Sequence, residues 1–184
     1  MHKDKAIVPT PLPLDFFEEK TIATAKKLLG MFLVYRKNGC EIAAMITDVE
    51  VYAGPHDGAS HASRGRTPRT EVMFGEAGRW YVYLVYGMHY CLNIVTEKTG
   101  YPAAILIRGV RGIEGPGRVC KYFGIDKRSN ALPATREAGL WIEDRGVRIR
   151  PRNINRGSRI GVDYAGAWKN KKWRFFLPHL LDKF

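Results

Sequence analysis

The segment WYVYLVYGMHYCLN, residues 80–93, constrains the fold more than any other part of the chain. Tyr81, Tyr83, Tyr86 and Tyr90 alternate or nearly alternate with apolar residues around Gly87, which reads as two half-buried strands joined by a turn. Two registers are open. A two-residue turn at Gly87-Met88 pairs Tyr83 with Leu92 and sends Asn93 to the opposite face. A three-residue turn, Tyr86 to Met88, pairs Tyr83 with Cys91 and Tyr81 with Asn93, which places Tyr83 and Asn93 on one face. Tyr86 then stands at the tip, where packing partners are fewest.

The remaining elements follow from periodicity and punctuation. After a proline-punctuated extended lead, residues 1–13, DFFEEKTIATAKKLLG places Phe17, Ile22, Ala25, Leu28 and Leu29 at helical spacing, with acids early, lysines late and Gly30 as a stop. This predicts one helix of about 14 residues. MFLVYRKNGCEIAAMITDVEVY reads as two strands joined at Asn38-Gly39. AAILIRGV is a buried strand by its continuous apolar run, and EGPGRVCKYFGI a short helix. Trp141 to Ile149 and Arg159 to Phe176 read as further short strands with basic turns. The economical fold class is α/β in the α+β sense: one domain, a curved, mainly antiparallel sheet with short flanking helices and a protruding hairpin.

Thirty Lys and Arg against eighteen Asp and Glu leave a net charge of +12, which points to polyanionic partners. Ten of those bases lie between Arg145 and Arg174, against Asp163 alone. Three scattered cysteines without a CxxC fit a reducing compartment rather than a disulfide framework. No apolar run of signal-peptide or membrane-spanning length occurs, so an intracellular protein is expected.

Several residues carry chemistry. Strand alternation puts Asp48, Glu50 and Tyr52 on one face and Val49 and Val51 on the other, so Glu50 is expected at a surface or cleft if the valines face the core. AGPHDG then forces a turn that brings His61 back toward the strand end. In SRGRTPRTE, Arg64, Arg66 and Arg69 with Ser63 and Thr67 supply the guanidinium and hydroxyl groups that hold phosphates, and Thr67-Pro68 reads as a helix start. No metal-ligand spacing, Walker loop, GxSxG elbow or GxGxxG fingerprint is present, so neither metal nor cofactor is expected. An exposed aromatic at a hairpin tip of a basic protein suits insertion into a base stack.

DVEVYAGPHDGASH, RTPR, MFGEAGRWYVYLVYGMHYCLNIVT, ILIRGV, GPGRVCKYFGI and SRIGVDYAGAWKNKKWRFF resemble, in order and spacing, the alkyladenine (3-methyladenine) DNA glycosylase family. The resemblance covers nearly all of residues 12–177. It implies a monofunctional enzyme of base-excision repair that flips an alkylated or deaminated purine from duplex DNA and hydrolyses its N-glycosidic bond. Glu50 matches the general base and Arg108 an arginine that helps hold the attacking water. Tyr52, His61, Tyr83 and Asn93 match the base pocket, Asn93 as a gatekeeper against guanine, and this pocket needs the three-residue turn or a bulge. Tyr86 matches the residue that fills the gap in the stack. Met88 beside it, with Arg64, Arg66, Thr67 and Arg69, is expected on DNA. The implied partner is double-stranded DNA containing damaged purines, met by a monomer without membrane contact. A binding protein that keeps the pocket without hydrolysis and a basic RNA-binding module are the rival readings.

Overall fold

The computed structural model describes residues 8–178. Its strands in chain order are β1 (Thr10–Pro11), β2 (Phe32–Lys37), β3 (Cys40–Ala53), β4 (Trp80–Val85), β5 (His89–Thr96), β6 (Ala103–Val110), β7 (Ile113–Glu114), β8 (Leu140–Asp144), β9 (Asn155–Gly157) and β10 (Arg174–Phe176). The helices are α1 (Thr21–Leu28) and α2 (Pro116–Phe123), with short 3-10 turns between elements. Every strand pair is antiparallel, in the order β1-β8-β2-β3-β6-β5-β4, with β10 also on β3, β9 on β10 and β7 on β6. This is the α+β class the sequence predicts. The expected extended lead contributes β1; residues 1–7 of that lead and 179–184 of the expected C-terminal tail lie outside the described residues.

β3 is the spine. Its first half pairs with β2 through the Asn38-Gly39 turn, where both residues take the positive φ that such a turn requires. Irregular register around Asp48 bends the strand, and its second half lies between β6 and β10. The core fills one side: Val49, Val51, Trp80, Leu92, Ile94, Ile105, Ile107 and Phe175 are buried there with Phe17 and Leu28.

Two expectations need correction. The single long helix is two pieces, a 3-10 turn at Leu14–Glu18 and α1, separated by extended backbone at Glu19. The break follows from Glu97, which is far away in sequence. Its amide donates to the Phe17 carbonyl at 2.9 Å, and its carboxylate accepts from the Thr21 amide at 3.2 Å and the Thr21 hydroxyl at 2.8 Å. A tertiary carboxylate therefore satisfies an amide at the start of α1, and the helix begins there. The second correction concerns the C-terminal third. Only Leu140–Asp144, Asn155–Gly157 and Arg174–Phe176 are strands, and Asp163–Asn170 forms a kinked 3-10 segment whose Ala165 and Trp168 pack in a cluster with Ala59 and Tyr52.

Candidate functional site

Residues paired across adjacent strands share a face, and one row of pairs runs across five strands: Tyr81 with Asn93, Asn93 with Leu106, Leu106 with Glu50, and Glu50 with Arg174. The face opposite the core thus gathers a tyrosine, an amide, a carboxylate and a guanidinium from β4, β5, β3 and β10. Two-residue periodicity adds Tyr83, Arg108 and Tyr52 to the same face. The hairpin adopts the three-residue turn, with Tyr83 opposite Cys91 and Val85 opposite His89. Tyr86 carries a positive φ of 51° and is 87% exposed, and Met88 is 72% exposed.

Over this face lies a cavity of about 400 Å³, within the range of small-molecule sites. Tyr52, His61, Tyr83 and Asn93 all line it, as do Arg69, Tyr81, Tyr86, Arg108, Ile160 and Tyr164. His61 reaches it because the chain turns sharply after β3. Gly54 takes φ +97°, and a Cβ there would lie 2.5 Å from the Tyr101 ring, so only glycine fits. The rings of His61 and Tyr83 meet edge to face at 4.6 Å, and His61 Nδ1 is 3.0 Å from the Tyr81 hydroxyl. Burial, and then the nearby Arg69 and Arg64, push the His61 pKa down to about 4, so the ring is neutral at physiological pH. The Asn93 amide donates to the Tyr81 carbonyl at 3.0 Å, which fixes the orientation of its side chain.

Glu50 departs from expectation. Val49 and Val51 do face the core, yet Glu50 is also fully buried rather than open to a surface or cleft. Its carboxylate accepts from the Ile160 amide at 2.9 Å and the Tyr52 hydroxyl at 3.2 Å, and Arg108 Nη1 lies 3.4 Å away. All three of these partners line the cavity, so the acid lies one layer behind its wall. Part of the cover, Ile160, comes from the segment after β9, which sequence periodicity misread as strand. Burial raises the Glu50 pKa, against the lowering effects of Arg108, Ile160 and Tyr52. Asp48, on the same face, binds Arg174 through both oxygens at 2.8 to 3.1 Å and lies 3.7 Å from Arg108. A larger hollow of about 590 Å³ behind Asp48 mixes acids and bases, including Glu114 and Arg118, and carries no tyrosine or histidine.

The basic segments are partly spoken for. Arg64, Arg66, Thr67 and Arg69 are all exposed; of these only Arg69 lines the cavity. Arg69 stacks over Tyr83 with 5.0 Å to the ring centre, and Arg66 pairs with Glu71 at 2.8 Å over the Phe74 ring. Thr67 does not begin a helix. Its hydroxyl and carbonyl accept from the Thr70 amide in a turn, and the 3-10 helix starts at Glu71. In the C-terminal basic run, Arg145, Arg148, Arg159 and Arg174 pair with Glu143, Asp144, Asp57 and Asp48, so the run is not wholly a free phosphate-binding patch. The Asp57–Arg159 pair is completely buried; nothing in the local pattern distinguishes these two residues from their charged neighbours. Among the described residues no helix is long and apolar enough to cross a membrane.

Fold and site together define a basic α+β protein with an aromatic cavity over one sheet face, an enclosed carboxylate behind it and an exposed tyrosine at the adjoining hairpin tip. A family model described as methylpurine-DNA glycosylase matches residues 15–180. Relatives named "Putative 3-methyladenine DNA glycosylase" include one from Myxococcus xanthus, 42% identical over 90% of this chain and 89% of its own. Those of Methanocella arvoryzae and Rickettsia peacockii are 40% and 41% identical, covering 90% and 94% of this chain and 91% and 92% of theirs. The chain belongs to the methylpurine-DNA glycosylase family, a family of DNA-repair glycosylases.

Proposed function

We propose that the protein is a monofunctional DNA glycosylase of the 3-methyladenine type, which extrudes alkylated or deaminated purines from duplex DNA and hydrolyses their N-glycosidic bonds. The observation that carries this reading is the aromatic cavity backed by Glu50. A flipped purine stacks between Tyr52 and the His61–Tyr83 side, with the exposed Tyr86 filling the space it leaves. A neutral His61 does not repel a cationic N3- or N7-alkylated base.

Cleavage of the glycosidic bond builds positive charge on the sugar, which a nearby carboxylate stabilises while it orients water. Glu50 supplies that carboxylate as the general base, and Arg108, 3.4 Å away, favours its ionised form and helps hold the water. Because Tyr52, Arg108 and Ile160 cover the acid, productive binding separates at least one of them from it, Tyr52 being the partner the base would stack upon. An N3- or N7-alkylated purine leaves as a neutral base, so a single carboxylate suffices, whereas a deaminated purine must take up a proton as it leaves. Among the described residues no lysine lines the cavity, in keeping with hydrolysis by water rather than a Schiff base. Arg64, Arg66, Thr67, Arg69 and Met88 are assigned to the DNA surface, Asn93 to exclusion of guanine, and the working unit to a monomer.

The reading is tested with methylated duplex DNA under single-turnover conditions, scoring free purine. Release of 3-methyladenine or 7-methylguanine with intact strands supports it. Tight binding to lesion duplex without release identifies a binding protein instead, and equal affinity for RNA identifies an RNA-binding module.

A further inference from the structure

Arg159 lies in the most basic stretch of the chain, yet its side chain is completely buried. Nη1 donates to the Val51 carbonyl at 2.8 Å, and Nη2 to Asp57 Oδ1 at 2.9 Å and to the Trp168 carbonyl at 3.3 Å. The guanidinium lies over two aromatic rings, 5.0 Å from the Tyr52 ring centre and 5.1 Å from that of Trp173. Its Nε is buried and makes no hydrogen bond to the described residues. Asp57 is itself tied down by the Ala53 and Ala59 amides at 3.2 and 3.1 Å.

Such an arrangement is an expensive way to fill space. A buried ion pair adds little net stability over apolar residues of similar volume, and an unpaired buried nitrogen costs more still. What it supplies is geometry. One face of the guanidinium backs the ring of Tyr52, whose hydroxyl donates to Glu50, and the next residue along the chain is Ile160, whose amide donates to Glu50.

We infer that Arg159 is a positioning residue for Glu50: clamped by Asp57 and by the Tyr52 and Trp173 rings, it fixes two of the three donors that meet the carboxylate. The inference rests on the reading of Glu50 as the general base, but its geometric content does not. A planar, multiply bonded cation is needed for this, and lysine, with a compact charge and no flat face, cannot replace it.

The test is Arg159→Lys, read in two ways. Arg108 from β6, Arg174 from β10, and Asp48 and Tyr52 from β3 face Glu50, and the substitution leaves all four in place. Loosening the Ile160 and Tyr52 donors removes stabilisation of the ionised carboxylate. The Glu50 carboxyl, followed by carbon NMR in the free protein, should then titrate about one pH unit higher, since each hydrogen bond to a carboxylate favours its charged form. The acidic limb of the single-turnover release profile should move upward as well. If Arg159→Lys does not fold, Trp173→Leu removes one face of the clamp while leaving the ion pair, and predicts an upward shift of the same sign. A folded variant whose Glu50 titration is unchanged overturns the inference. An NMR shift without any base release in the wild-type protein instead overturns the enzymatic reading and leaves the clamp standing.

Discussion

The hydroxyl of Tyr52 donates to the carboxylate of Glu50 at 3.2 Å, from two residues further along the same strand. One side chain therefore faces the cavity with its ring and holds the buried acid with its oxygen. Tyr52→Phe keeps the ring and removes the donor. Its loss raises the Glu50 pKa beyond what burial already imposes. The Glu50 carboxyl of the free protein is expected to titrate roughly half a unit to one unit higher, with lesion-duplex affinity changed by less than about threefold. A Glu50 titration that is unchanged or moves to lower pH would contradict this bond.

Burial of Glu50 also makes the acid a stability liability. Its pKa is raised in the folded protein, so the fold binds the proton more tightly than the unfolded chain does. That penalty is absent below the unfolded value of 4.5 and grows as pH rises through the folded value. Glu50→Gln should therefore melt at a higher temperature than wild type at pH 7, with the gap closing toward pH 4. Thermal melts across that range decide it; a gap that widens on acidification is the contrary result.

Tyr86 is 87% exposed at the hairpin tip and contributes nothing to the core. Tyr86→Ala should change stability by less than about 0.5 kcal/mol, as exposed positions do. Lesion-duplex affinity should fall roughly tenfold, the scale of about 1–3 kcal/mol carried by one base–aromatic stack. A fluorescent base analogue at the lesion position reports both extrusion and affinity.

Arg64 and Arg69 should separate by their salt response. Arg64 is exposed outside the cavity lining, so Arg64→Ala should weaken binding to damaged and undamaged duplexes alike and lower the log–log salt slope by about one. Arg69 covers Tyr83 at 5.0 Å and lines the cavity. Arg69→Ala should in addition reduce discrimination between lesion and normal duplex. Salt titrations of both variants on both duplexes give the comparison.

The parts of this architecture that depend on neighbours in sequence were legible there. Alternation placed Glu50 and Tyr52 on one face, and the tyrosine pattern around Gly87 limited the hairpin to two registers, one of which the molecule adopts. Contacts between distant segments were not legible. Glu97 breaks the predicted helix from 76 positions away, and Ile160 closes over Glu50 from 110 positions away. Arg159 meets Asp57 across 102 positions, and in sequence it is one more base in a basic run. Periodicity reports which face a residue takes, but not what the rest of the chain lays over that face. That is why the acid read as cleft-facing proved to be enclosed. Arg108 fell in a continuous apolar run and came into view only through family resemblance.

The central claim is that Glu50 activates the water that releases the base, and Glu50→Gln on a methylated duplex tests it most directly in single turnover. The expected result is lesion-duplex affinity within about threefold of wild type and a release rate lower by about 10²–10⁴-fold, the scale of a lost general base. Release at the wild-type rate would contradict the account.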